Sequence, residues 1–321
     1  MKLGVMNPVF GGYTFEEALK FLNEHDVHEM EIGAGGYPGD NHLKPAELLG
    51  NPEKIKEFKD LMAKYDVSIS AIACHGNALH PNKEIAEKFD NDFKNAILVC
   101  EALGVKTIIG FSGCPGDCEN SVRPNWVTCA WPEDYLETLE WQWNEKIIPY
   151  WKKTAEFAKA HGIEKIAFEM HPGFAVYNPE TLLKLRNAVG DIIGANFDPS
   201  HLFWQGINPV EAIKYLSGAI YHFHAKDTRI DAHNTEVNGV LDTKNYGDVL
   251  NRSWVFRTVG YGHNKQMWND IISTLKATGY DGSISIEHED SLMSAEEGLE
   301  KAISFLKEVL IVHTAGDMWW A

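Results

Sequence analysis

The hexapeptide FEMHPG, Phe168 to Gly173, closes an apolar run that begins at Lys165 and stops on a Pro-Gly pair. Residues two apart in an extended strand point to the same side, so Glu169 and His171 project together where the strand gives way to a loop. Such a pair is either a salt-bridged surface feature or part of a site, and the rest of the chain decides between them.

Three later runs end the same way. NFDPSH (196–201) places Asp198 at the close of a strand spanning 193–198, YHFHAKD (221–227) places His224 in a strand spanning 220–225, and SIEHED (285–290) places Glu287 at the close of a strand spanning 283–287. Runs 3–6, 29–32, 67–73 and 107–111 also read as strands. Helical spacing fills 15–24, 52–65, 85–103, 135–160, 179–189, 209–216, 266–278 and 295–312. Strand–helix alternation of this kind predicts parallel strands with helical crossovers, and eight units predict an α/β protein with a closed (β/α)8 TIM barrel in a single domain over 1–321. A dinucleotide-binding doubly wound sheet is disfavoured: no glycine-rich fingerprint follows the first strand and no GxxxxGK[ST] occurs. Three connections, 33–51, 112–133 and 226–265, are too long for plain turns and are expected as functional loops on the C-terminal face.

Composition is that of an ordinary globular chain, 44% hydrophobic and 23% charged. Lys and Arg total 29 against 46 Asp and Glu, a net charge of −17 that repels nucleic acid and anionic lipid. The start, Met1 to Met6, lacks a signal-peptide pattern, and no run approaches the ~20 apolar residues of a membrane helix; a cytoplasmic protein is expected. The five cysteines are read as reduced thiols, Cys114 and Cys118 being too sparse for a zinc site.

In a parallel barrel, Glu169, Asp198, His224 and Glu287 would converge at one rim, where barrel active sites lie. Three carboxylates so placed repel one another unless a cation sits between them. Oxygen-rich ligation with one imidazole suits one divalent ion, Mn²⁺ first, with Mg²⁺, Co²⁺ or Fe²⁺ as alternatives. His222 is read as a packed histidine facing the helices, and His288 as lying off the rim.

The run FEMHPG…NFDPSH…HFHAKD…SIEHED resembles the xylose isomerase-like barrel superfamily over nearly the whole chain. That resemblance implies a sugar isomerase or epimerase, with Glu169 and Glu287 as both metal ligands and acid–base groups. It implies a substrate contact for His201, three residues after Asp198. The long seventh loop and WVFRTVGYGH (254–263) look closer to the inosose dehydratase-like branch and to the large subunits of C-glycoside deglycosidases, which share the Glu169-Met170-His171 pattern. The lyase implied there would cleave 3-oxo-glycosides by β-elimination or dehydrate an inosose. A noncatalytic sugar-binding subunit is a further alternative.

A divalent ion on a sugar carbonyl and its neighbouring hydroxyl stabilises an enediolate, so a nearby base can remove the α proton. His171 is the expected base, since an imidazole exchanges protons at neutral pH. His75 after strand three, the cations Lys226, Arg229 and Arg257, and the flat ring of Trp254 are expected to contact an unphosphorylated sugar or keto-sugar. The tail 313–321, with Met318, Trp319 and Trp320, is expected to serve a homo-oligomer or a complex with a small second subunit.

Overall fold

The computed structural model describes residues 1–313, 315–318 and 320. Its strands in chain order are β1 (Lys2–Met6), β2 (Glu29–Gly33), β3 (Ser68–Ala73), β4 (Thr107–Gly110), β5 (Lys165–Glu169), β6 (Ile193–Phe197), β7 (Ile220–Ala225), the hairpin strands β8 (Asp227–Ile230) and β9 (Trp254–Arg257), and β10 (Ser283–Ile286). All but the hairpin pair form a closed barrel in which β10 returns to β1 and every ladder is parallel. The barrel strands agree with the runs read from sequence to within one residue at each end.

Polar caps start the surrounding helices where the apolar periodicity begins. Thr14 and Glu17 form a reciprocal capping box at the first helix, and Asn178 does the same with Thr181 before Pro179–Val189. Pro52, Pro179 and Pro209 occupy first-turn positions, where a missing N–H costs nothing.

Alternation along the strands creates two interiors. Leu3, Met30, Ile32, Phe168, Phe197, Phe223 and Ile284 face outward into a continuous apolar layer shared with Trp151 and Trp268 from the helices. Met6, Ala71, Ala73, Ile109 and Ala167 form a much smaller apolar cluster inside the barrel. The rest of the lumen is polar: Glu31, Asn196, His224 and Ser285 are fully buried.

His222 belongs to that lumen, which corrects the expectation that it faces the helices. It lies two residues from His224 and so shares its side of β7; its Nε2 is 3.3 Å from Ser70 Oγ on β3, a contact that crosses the barrel. Two register breaks shape this region. The β2–β3 ladder steps from Met30↔Ile69 to Glu31↔Ala71, skipping Ser70, and the β6–β7 ladder steps from Ala195↔Ile220 to Asn196↔His222, skipping Tyr221. Gly194 makes room for the displaced Tyr221 ring, since a Cβ there would lie 2.4 Å from it. Bulges re-aim side chains, and these two surround the polar part of the lumen.

The helix expected over 135–160 is continuous but widens to a π-helical turn at Gln142–Ile147, just before Ile148–Ala160. Pro149 would clash with the carbonyl four residues earlier in a regular helix, and the wide turn lies there. The turn also aims Gln142 inward, where its amide donates to the carbonyls of Gly116 and Asn125 at 2.8 Å and holds the 112–133 loop.

The third long loop carries structure that the sequence reading did not specify: a helix, Ala232–Asn238, and the antiparallel β8–β9 hairpin. Asp227 anchors its return by accepting from the backbone N–H groups of Gly260 and His263 and from the Trp268 indole. Asp290 does the same for Arg257 Nε at 2.9 Å and Thr258 N at 2.8 Å. At the chain end Met318 and Trp320 are exposed, while Trp319 lies outside the described residues. No described helix is long and apolar enough to cross a membrane. All five cysteines are free, and no metal-competent cluster among the described residues includes one.

Candidate metal centre

Glu169 ends β5, Asp198 directly follows β6, His224 lies in β7, and Glu287 directly follows β10. One donor atom from each of these four lies within 4.8 Å of every other. Asp198 divides its carboxylate: Oδ1 accepts from Ser200 N at 2.8 Å, capping the short helix Pro199–Phe203, and leaves Oδ2 for the rim. His224 also divides its ring. Nε2 lies 2.8 Å from Glu31 Oε2, while Nδ1 faces Glu287 Oε2 at 3.1 Å and Glu169 Oε2 at 3.4 Å.

The cluster is crowded with charge. Lys226 Nζ reaches Glu287 Oε2 at 2.7 Å, Glu289 Oε2 at 3.0 Å and Asp198 Oδ2 at 3.2 Å. His201 Nε2 lies 2.9 Å from Glu169 Oε1 and 3.3 Å from Asp198 Oδ2, and His75 Nε2 lies 3.1 Å from Glu169 Oε2. Despite these near neighbours, Asp198 Oδ2, Glu287 Oε2, His201 Nε2 and His224 Nδ1 are buried without an aligned hydrogen-bond partner. Buried polar atoms that converge without pairing are costly unless something else satisfies them. Three carboxylate oxygens and a ring nitrogen on one point are the donor set of a hard divalent ion, so the residues present fit one.

Burial alone would raise the Glu169 and Glu287 carboxyls. The facing imidazoles of His201, His224 and His75 hold Glu169 well below the ordinary range, and the Lys226 charge, with His224, holds Glu287 low. Asp198 goes the other way: burial raises it more than Lys226 and His201 lower it. Burial would lower Lys226 and His224, but facing carboxylates hold both well above their ordinary values, Asp198 and Glu287 foremost for Lys226 and Glu31 and Glu287 for His224. For Glu31, burial is offset by His224 and His222, which hold it low.

His171 sits beside the cluster, its ring centroid 4.1 Å from that of His201 and 4.9 Å from that of Phe111. Its Nδ1 lies 2.6 Å from the Pro172 carbonyl, which can only accept, so Nδ1 carries the proton and Nε2 the lone pair. Burial lowers its pKa, keeping the ring neutral near pH 7.

A cavity of about 630 Å³ opens over these groups, walled by Tyr37, His75, Phe111, Phe174 and Glu289 as well as by Glu169, His171 and Glu287. A second, about 460 Å³, shares His171 and Glu289 with it and is lined by Tyr246, Val255, Phe256 and Ser291. A larger cavity of about 770 Å³ lies at the opposite end, among Met1, Lys2, Val67 and Leu310. It is remote from the polar cluster and from the face where barrel chemistry resides.

The structure thus brings together Glu169, His171, Asp198, His201, His224, Lys226, His75 and Glu287. Three expected contacts lie apart. Arg229 is exposed on the hairpin opposite Val255, and lines neither rim cavity. Arg257 is committed to Asp290. Trp254 is buried, stacked on Trp204 at 4.6 Å, with its indole N–H on the Val240 carbonyl. Phe256, on the same face of β9, reaches the site instead: its ring meets His201 edge-on at 5.2 Å and lies 4.7 Å from Lys226 Nζ. Sequence reasoning missed Phe256, Glu289 and Glu31, though a glutamate between Met30 and Ile32 in an apolar strand was a visible signal.

A closed parallel barrel of eight strands flanked by helices is a TIM barrel, here with three carboxylates and an imidazole gathered at its strand ends. Residues 19–309 match the xylose isomerase-like TIM barrel family, and the chain belongs to that family. It is 39% identical over 312 residues to the uncharacterized protein YfiH of Bacillus subtilis (strain 168), covering 97% of this chain and 99% of that one. Among solved structures it is similar to the IOLI protein described with a binding zinc atom, with TM-score 0.66, 19% identity, and 97% and 98% of the two chains covered. It is also similar to a D-tagatose 3-epimerase-like protein, with TM-score 0.63, 22% identity, and 96% and 98% covered.

Proposed function

We propose that this protein is a divalent-metal-dependent sugar isomerase or epimerase that works by proton transfer next to a carbonyl. The observation that carries the reading is the convergence of Glu169, Asp198, His224 and Glu287 beside a half-buried, neutral His171. The four converging residues are the proposed ligands, for Mn²⁺ first. When bound, a divalent ion supplies Lewis acidity, drawing electron density from a sugar carbonyl and its neighbouring hydroxyl.

The chain's own groups do the rest. His171 Nε2 takes the proton from the carbon beside the carbonyl and returns it to the carbonyl carbon in an isomerisation; in an epimerisation a carboxyl on the other face, Glu169 or Glu287, delivers a proton to the same carbon and His171 releases its own to solvent. Glu169 and Glu287 are close enough to exchange protons with the substrate hydroxyls. Lys226 holds Asp198 and Glu287 in place and offers an ammonium to an oxygen that gains charge. His75 and His201 orient Glu169 and face the sugar, while Phe111, Phe174 and Phe256 exclude water. The test is proton exchange: with added Mn²⁺ in deuterated water, a keto sugar of the correct class acquires deuterium next to its carbonyl, and no exchange across a panel of ketoses would remove the reading.

A second reading, a lyase acting on 3-oxo-glycosides, is favoured by the adjoining cavity beyond His171, whose Tyr246 and Phe256 walls stack at 5.7 Å and suit a leaving aglycone. Released aglycone without sugar interconversion would select it. The proposed enzyme is cytoplasmic and oligomeric; light scattering of a chain truncated after Thr314 tests whether the tail contributes to assembly, an unchanged mass excluding it.

A further inference from the structure

We infer that Glu31 is a positioning residue of the metal centre: it fixes the tautomer of His224 and thereby presents the Nδ1 lone pair to the rim. The inference rests on the reading of His224 as a ligand. Glu31 sits in the middle of β2, fully buried, between outward-facing Met30 and Ile32. β1 and β10 separate β2 from β7, so the 2.8 Å contact between Glu31 Oε2 and His224 Nε2 spans the lumen. A carboxylate can only accept, so in the neutral ring that an ion requires it keeps the proton on Nε2 and leaves Nδ1, which has no aligned partner, as the ligand nitrogen.

A competitor stands beside it. The Asn196 amide nitrogen is 3.1 Å from the same Nε2. Its orientation is set from behind, because the Asn196 carbonyl oxygen faces His222 Nδ1 at 3.0 Å, while His222 Nε2 meets Ser70 Oγ. An amide N–H donating to Nε2 would demand the opposite tautomer, with Nδ1–H pointing at Glu169 and Glu287. Glu31 is the group that decides against it. The bulges at Ser70 and Tyr221 surround this assembly. A buried carboxylate in an apolar strand is expensive for the fold; its other imidazole neighbour, His222, stands further off, with Nδ1 3.8 Å from the same Oε2 and turned to Asn196.

The test compares wild type with Glu31→Met, which fills the space without an acceptor, and Glu31→Gln, whose amide oxygen can still accept. Each is titrated with Co²⁺, following the visible ligand-field bands, and the metal-free melting temperature is recorded alongside. The expected result is a loss of Co²⁺ affinity of about 10–100-fold with altered bands in Glu31→Met, and a partial return in Glu31→Gln. A merely structural role would change the melting temperature and leave the bands alone. Wild-type affinity and bands in Glu31→Met would overturn the inference. Should that variant not fold, Glu31→Gln decides alone, a several-fold loss supporting the inference and unchanged affinity overturning it. A wild-type protein that binds no Co²⁺ would instead overturn the metal reading beneath both.

Discussion

Phe168 and Glu169 are neighbours in β5, yet they live in opposite environments. Phe168 turns outward and meets Trp151 edge-on at 4.4 Å within the apolar layer. Glu169 turns inward and meets three imidazoles and the field of Lys226. Burying a side chain like Phe168 contributes roughly 1.5–3 kcal/mol, whereas an ionised group taken from water costs several kcal/mol unless its partners are well arranged. Around Glu169 they are only partly arranged, since Asp198 Oδ2, His201 Nε2, His224 Nδ1 and Glu287 Oε2 lack aligned partners. The outer layer therefore holds the barrel together, and the rim carries a cost that packing does not offset.

The contrast can be broken most sharply by removing His171. His171→Ala should lower solvent exchange into the substrate by about 10²–10⁴-fold with metal content unchanged; wild-type exchange would shift the role of base to Glu169 or Glu287. The outer layer should respond in the other currency. Trp268→Ala should lower unfolding free energy by about 3–5 kcal/mol in denaturant titration, as large core truncations do, and folded protein should still bind metal.

A third outcome separates the lumen from the rim. Burial pushes His222 down to about 4, against an ordinary value of 6.5, despite the opposing charge of Glu31. Below pH 6.5 the unfolded chain takes a proton that the folded chain refuses until about pH 4. The stability supplied by neutral His222 is thus complete above pH 6.5 and is lost as pH falls through that window, by roughly 3 kcal/mol over its full span. His224, raised by its carboxylates, works in the opposite direction, so the measurement is the difference between wild type and His222→Gln. Chemical denaturation at pH 7 and pH 5 should show a shallower loss in the variant, and equal slopes would contradict the assignment. Smallest of all, Arg229→Ala should change stability by less than about 0.5 kcal/mol and leave metal affinity alone, because the side chain is exposed.

Much of this was legible in the sequence because both signals have short periods. Strand–helix alternation located all eight barrel strands, and the polar residues closing four of them located the rim. What escaped depends on register and on long-range pairing. His222 was placed on the wrong side although it lies two residues from His224, and skipping Ser70 and Tyr221 in the ladders leaves no mark in composition. The hairpin joins Asp227–Ile230 to Trp254–Arg257 across a long insertion, so nothing local showed that Phe256 would reach His201 while Trp254 packed on Trp204. Arg229 and Arg257 were selected for charge and proximity in sequence, and neither specifies which way a hairpin side chain turns.

The central claim is that Glu169, Asp198, His224 and Glu287 hold one divalent ion. Elemental analysis of protein purified without chelator tests it most directly, with Asp198→Ala and Glu287→Ala prepared in parallel. The wild-type chain should carry close to one divalent ion, manganese favoured, and both variants should carry almost none. Undiminished metal in both variants, or none in the wild type after metal addition and desalting, would contradict the account.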